Sequence, residues 1–284
     1  MSNKKDNLGD RMKGYESISR TFLTRRIPVI IRLDGKAFHT FTKGLEKPFD
    51  DALMHIMQKT TQYLCENIQG CVFGYTQSDE ITLVLTDYAT ITTDAWFGYN
   101  VEKMVSISAS MATLAFNRFW EEEIQGLMDI ANTLGESYNP EDFQNSVEAW
   151  RRIDILSLKR LKAMFDSRVF SSPKEEVVNC LLWRQQDATR NSIQSVGQAN
   201  FSPKQLHGKS CDMIQDMLST EKGINWEDFP VVCKRGTGCY KRKVEKEMVN
   251  PKTGEVQIIQ RSEWFIDTNI PVFSQDRGYI EKWL

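Results

Sequence analysis

Apolar positions along this chain alternate between short β-branched runs and longer stretches at helical spacing, and that alternation predicts the order of elements. Val29, Ile30, Ile31 and Leu33 form a β-branched apolar run, which predicts a buried strand over 29–33. Leu53, Ile56, Met57, Tyr63 and Leu64 then recur with helical period behind Pro48, so a helix is expected over 48–67 with the proline near its start. Two apolar runs, 71–75 and 81–85, flank a polar tip and predict a hairpin. Val101, Met104, Val105, Ser108, Met111, Ala112, Ala115 and Phe119 predict a longer helix over 99–122. Residues 123–145 read as an acidic surface connection, followed by a helix-like basic stretch to 164 and a strand over 165–170.

The predicted order is β-α-β-β-α-β, the ferredoxin-like or palm arrangement. It makes a geometric claim: the first two strands run parallel with the third inserted between them. The end of the first strand and the hairpin tip then share one edge of the sheet. Residues 1–26 are polar, with a short helix expected around 11–20. Beyond 173 the texture changes to helices over 174–190 and 203–220, then β-like segments within 231–262 around a turn at Pro251-Lys252-Thr253-Gly254. The fold class expected is α+β: a polymerase-like palm domain over 1–172 and a smaller α+β C-terminal domain over 173–284.

Composition narrows the picture only modestly. The chain has 284 residues, 40% hydrophobic and 26% charged, which is ordinary for a globular protein able to bury a large core. A net charge of −2 argues against a wholly basic nucleic-acid coat. Local clusters such as Arg151-Arg152, Lys234-Arg235 and Lys241-Arg242-Lys243 can still hold phosphates. The six cysteines include no C-x-x-C pair and there are three histidines, which excludes the usual zinc patterns and suggests reduced thiols. With no apolar signal segment and no run of membrane-spanning length, a cytoplasmic location and no membrane partner are expected.

The candidate chemistry lies in Arg32-Leu33-Asp34-Gly35 and Gln77-Ser78-Asp79-Glu80. Each places a carboxylate where a strand gives way to a turn. Singly, Asp34 is as well explained by a turn cap, and Asp79-Glu80 by a solvated hairpin tip. Together on one sheet edge they repel unless a cation neutralises them. Paired Mg²⁺ ions about 3.5–4 Å apart on such oxygens serve phosphoryl and nucleotidyl transfer. Gly35 lets backbone approach a phosphate and leaves its carbonyl within reach of a cation. Lys36, Ala37, Phe38 and His39 follow with backbone N–H groups for a triphosphate, and the His39 ring can donate as well. Lys47 beside a predicted helix start is oddly placed for a cation unless an anionic ligand accompanies it. His207-Gly208-Lys209-Ser210 resembles the end of a P-loop, but Pro203 stands where that motif needs glycine, which excludes it. Lys234 and Arg235, before Gly236-Thr237-Gly238, are candidates to grip RNA phosphates. Trp183, Phe201 and Trp226 are expected in the core rather than as base-stacking surfaces.

Three blocks carry a family resemblance: Ile30-Ile31-Arg32-Leu33-Asp34-Gly35-Lys36-Ala37-Phe38-His39, then Glu46-Lys47-Pro48, then Tyr75-Thr76-Gln77-Ser78-Asp79-Glu80. In order and spacing they resemble the tRNA-His guanylyltransferase family and its bacterial and archaeal like-proteins. Phe165-Asp166-Ser167-Arg168, Trp183 to Asn191 and Lys234-Arg235-Gly236-Thr237 resemble its later blocks more loosely. The resemblance implies a palm working in reverse, adding nucleotides to a tRNA 5′ end in the 3′–5′ direction after ATP or GTP activates the 5′-phosphate. By the same resemblance, Asp34, Asp79 and the Gly35 carbonyl bind two Mg²⁺ and Glu80 supports them as a third catalytic acid. Residues 34–39, Lys47, Ser78 and Asp79 hold the triphosphate of ATP, GTP or another NTP. Arg32, Lys103, Arg168, Asn191, Lys234 and Arg235 match positions tied to activation or RNA contact, and a homo-tetramer is implied. Enzymes dedicated to tRNA-His carry His-Ile-Asn-Asn where this chain has Thr189-Arg190-Asn191-Ser192. That departure favours template-directed repair of truncated tRNA 5′ ends over addition of the extra guanosine. A palm-type nucleotide cyclase is a competing reading, although its Gly-Gly-Asp-Glu-Phe turn is absent; a vestigial RNA-binding module is another.

Overall fold

The structure, a computed structural model, describes residues 7–137, 139–249 and 256–284. Six strands form one sheet: β1 (Val29–Gly35), β2 (Cys71–Gln77), β3 (Glu80–Leu85), β4 (Phe165–Ser171), β5 (Thr237–Val249) and β6 (Val256–Asp267). Their order is β4-β1-β3-β2-β5-β6 and every neighbouring pair is antiparallel. Because β1 and β2 both run against β3, they are parallel to each other with β3 between them, as the element order implies. The C-terminal strands extend this same sheet, β5 pairing with β2 from Phe73↔Tyr240 to Thr76↔Thr237. The expected turn at 251–254 lies outside the described residues.

Strand alternation splits the sheet into two faces. Ile31, Leu33, Ile81, Leu83 and Leu85 are buried on one face against α3 (Asp51–Asn67) and α4 (Val101–Gly135). Ile30, Phe73, Tyr75 and Val84 are buried on the other with Val177, Val178 and Leu181 of α6 (Lys174–Asn200) and with Ile270, Phe273 and Ile280 near the C-terminus. A third cluster joins Ile193 and Val196 of α6 to Ile214, Leu218 and Trp226. Polar α1 (Asn7–Ser17), α2 (Phe38–Phe41) and α5 (Pro140–Ser157) complete the N-terminal elements; α7 (Pro203–Leu206), α8 (Cys211–Met217), α9 (Val231–Arg235) and α10 (Gly278–Glu281) are short.

Several element boundaries depart from the sequence reading. The acidic stretch expected as a connection is mostly helix: α4 continues to Gly135 and α5 begins at Pro140. Phe119, Trp120, Ile124 and Ala131 carry the apolar stripe onward, and Trp120 Nε1 donates to the Leu156 carbonyl at 3.0 Å, so pairing with α5 overrides the acidic exposed side. The helix after Pro48 begins at Asp51, because Asp50 is the cap whose carboxylate accepts from Leu53 N at 3.0 Å. Helix α6 runs ten residues past the expected end. The single helix expected over 203–220 is broken where Gly208 takes a φ of 73°, and Ser210 caps α8. All six cysteines are free.

Candidate active site

The end of β1 and the β2–β3 turn meet at one end of the sheet. Asp34 is the cross-strand partner of Glu80, and Gly35 N donates to the Asp79 carbonyl at 3.0 Å. Ser78 and Asp79 form the two-residue tip, with Ser78 at φ 50°; Ala37 on the facing loop has φ 55°. Two non-glycine residues in the left-handed region mark backbone held by its surroundings, a frequent property of functional sites.

The electrostatics are those of crowded acids. Burial pushes the Asp79 carboxyl up, and the neighbouring Asp34 and Glu80 add to the shift against the hydrogen bonds of its own backbone and Ser78. Asp34, its side chain 42% exposed, is also raised, first by burial, then by Glu80 and Asp166, with Arg168 and Arg32 opposing. Arg168 approaches Asp34 Oδ2 at 4.0 Å and Asp166 Oδ1 at 3.5 Å. Glu80 has a different environment. Its buried carboxylate accepts from Arg32 Nε at 3.1 Å and Arg184 Nη1 at 2.9 Å, so its charge is spent on guanidinium partners.

The donors left for a metal are the Asp34 and Asp79 carboxylates and the Gly35 backbone carbonyl. Among the described residues, no group of three His, Cys, Asp or Glu side chains is arranged around a metal position. Two partly desolvated carboxylates, both raised and both bearing hard oxygen atoms, nevertheless fit Mg²⁺, which keeps several waters and takes few protein ligands.

A cavity of about 410 Å³ opens beside the hairpin tip, within the range of small-ligand sites. Ser78, His39, Lys47 and Asn191 line it together with Gln58, Thr237 and the apolar Leu53, Met54 and Met57. The fold thus brings Asn191 of α6 alongside three N-terminal candidates. His39 is exposed and shares a 3.0 Å hydrogen bond with the Thr40 hydroxyl. Lys36 N donates to the Met164 carbonyl at 2.9 Å, and the buried Phe38 ring packs on Phe41, Phe116 and Phe165. At Gly35 an added Cβ would lie 2.3 Å from the Phe38 ring, so the glycine is needed for packing as well as for backbone access.

Other candidates sit elsewhere. Lys103 lies on the first turn of α4 near Phe97; ten residues, about 15 Å of helix, separate it from Thr113, whose hydroxyl accepts from Phe165 N at the site's end of β4. Lys234 is buried rather than open to an RNA backbone: its ammonium donates to the Glu227 carbonyl at 2.5 Å and to Glu227 Oε2 at 3.0 Å, beside the Trp226 ring. The Arg235 carbonyl accepts from Tyr75 OH at 2.6 Å. Trp183, expected in the core, is half exposed, whereas Phe201 and Trp226 are buried as expected. Sequence spacing did not single out Arg184, Asp187 or Asp166. The available signals were the i, i+3 pairing of Arg184 with Asp187 on one helix face, and the strand alternation that puts Asp166 on the face of Arg168.

The model of the tRNA-His guanylyltransferase (Thg1) family matches residues 9–173. A bacterial tRNA-His guanylyltransferase (Thg1)-like protein solved in complex with ATP aligns with a TM-score of 0.76 at 40% identity, over 97% of this chain and 98% of that one. One in complex with GTP gives 0.71 at 38% identity, over 98% and 99%. In sequence, the probable tRNA(His) guanylyltransferase of Mus musculus is 25% identical over 233 residues, 77% of this chain but 66% of that protein. With the family model covering more than half the chain and 40% identity holding over nearly its whole length, this protein belongs to the tRNA-His guanylyltransferase family and is a nucleotidyltransferase.

Proposed function

We propose that this enzyme adds nucleotides to the 5′ end of tRNA in the 3′–5′ direction, and that its natural work is template-directed repair of truncated 5′ ends. The observation that carries the reading is the meeting of Asp34 and Asp79 at one end of the sheet, next to a nucleoside-sized cavity. ATP or GTP first activates the RNA 5′-monophosphate with loss of pyrophosphate; the 3′-hydroxyl of an incoming NTP then attacks that phosphorus and displaces the nucleoside monophosphate. The base and ribose of one nucleotide occupy the cavity between Lys47 and Asn191, with its phosphates toward Ser78 and the 34–39 loop. Arg168 lies beside Asp34, which supports a role for it in meeting phosphate charge. Two Mg²⁺ would be held by Asp34, Asp79 and the Gly35 carbonyl, and when bound they supply charge neutralisation and a more acidic attacking hydroxyl.

In this reading residues 1–172 carry the chemistry and 173–284 complete the cavity through Asn191 and Thr237. Lys103, remote within one chain, contributes only from the surface, and exposed Ile107, Leu114 and Ile130 on α4 suit the proposed tetramer. The repair reading over dedicated guanosine addition is supported by Thr189-Arg190-Asn191-Ser192 standing where dedicated enzymes carry His-Ile-Asn-Asn.

The test offers 5′-truncated tRNA transcripts and full-length tRNA-His with each NTP and maps what is added opposite each template base. Asp34→Ala and Asp79→Ala should lose Mg²⁺-dependent addition while circular dichroism stays that of the wild type. Near-normal turnover by either variant overturns the assignment.

A further inference from the structure

Trp183 sits on α6 above the sheet face that carries Arg32, Asp34 and Arg168, and it is 51% exposed. Its ring centroid lies 3.4 Å from the guanidinium carbon of Arg184 and 5.3 Å from that of Arg32. Both guanidiniums are immobilised by the same buried carboxylate, Glu80, and Arg184 also bonds Asp187 Oδ2 at 3.3 Å. An indole stacked on a fixed guanidinium is held rigid, so a ligand that stacks on its open side orders little extra on binding.

The position relative to the acids narrows the ligand. Arg32 and Asp34 lie two residues apart on one strand, roughly 7 Å, and Glu80 is the cross-strand partner of Asp34. The exposed ring therefore stands within a nucleotide or two of Asp34, on the side opened by exposed Arg168. A flat π-face flanked by guanidiniums suits a nucleobase and its phosphates, because every base stacks whatever its sequence. An apolar peptide would gain nothing from the exposed guanidinium of Arg168.

We propose that Trp183 is a stacking platform for a base of the RNA at, or next to, the 5′ end being extended. The inference rests on the proposed action at an RNA 5′ end, and the measurements separate the two. Trp183→Phe retains a π-face; Trp183→Leu keeps apolar bulk without one. Against a 5′-monophosphorylated tRNA transcript lacking its first nucleotide, Trp183→Leu and Trp183→Ala should raise Kd about tenfold and Trp183→Phe less than about threefold, with affinity for GTP alone unchanged. Wild-type RNA affinity in Trp183→Leu overturns the proposal, as does a changed oligomeric state with unchanged RNA affinity, which would make the indole a protein contact. If both non-aromatic variants misfold, 2-aminopurine at the RNA 5′ position decides: its emission falls on binding to the wild type and to Trp183→Phe if the base stacks, and unaltered emission rejects the platform. A wild type that incorporates nothing, yet loses RNA affinity on Trp183→Leu, refutes the catalytic reading and upholds the platform.

Discussion

Replacing Arg184 by methionine isolates the charge arrangement beneath the acidic end of the sheet. Arg184→Met keeps the aliphatic reach and removes a guanidinium whose side chain is 5% exposed. The Glu80 carboxylate, 10% exposed, then has only Arg32 Nε at 3.1 Å, and Asp187 retains Arg190. Stranding one partner of a buried ion pair costs about 3–5 kcal/mol. Since Arg32 remains, the lower value, about 3 kcal/mol, applies. At about 3 °C per kcal/mol for a chain of this size, the melting temperature should fall by about 9 °C. Thermal unfolding followed by circular dichroism, with urea midpoints alongside, measures the loss. The companion variant supplies the sharper test. Adding Glu80→Gln to Arg184→Met removes the stranded charge and should recover half or more of the lost stability, a non-additivity expected of directly coupled groups. A loss below about 1 kcal/mol, or a double variant whose losses simply add, refutes the view that the pair is a buried, mutually dependent unit.

Three further outcomes follow from the same structure. Gly35→Ala forces a Cβ to within 2.3 Å of a Phe38 ring hemmed in by Phe41, Phe116 and Phe165, so about 1–3 kcal/mol should be lost to overpacking, read as a lower urea midpoint. Asp34 and Asp79 have raised carboxyl pKa values, so between their unfolded value, about 3.9, and the higher folded one the native state holds more protons than the unfolded chain. Their contribution is therefore complete below the unfolded pKa and is lost as pH rises through the folded one; Asp79→Asn should flatten that decline, and Mg²⁺ at neutral pH should raise the melting temperature of the wild type but not of this variant. Lys234→Met should cost about 2 kcal/mol of stability through the lost bonds to Glu227 while leaving the salt dependence of RNA binding unchanged; a reduced salt slope would show instead that the ammonium contacts phosphate.

Local pattern alone determined the order of strands and helices in the first 170 residues and the meeting of Asp34 with Asp79. Both follow from periodicity: a β-branched run must be a buried strand, and a βαββαβ order leaves few ways to lay four strands in one sheet. Local pattern misplaced what depends on partners distant in sequence. The extent of α4 was hidden because its stripe is matched by α5. Glu80 read as a companion acid for metal, yet two guanidiniums, one from a helix a hundred residues later, claim it. Lys234 read as an RNA grip until the fold buried it under Glu227, and Trp183 read as core until α6 turned it outward beside Arg32. Tertiary structure decided these because the state of a charge or a ring is set by what surrounds it in space, and spacing along the chain does not encode those neighbours.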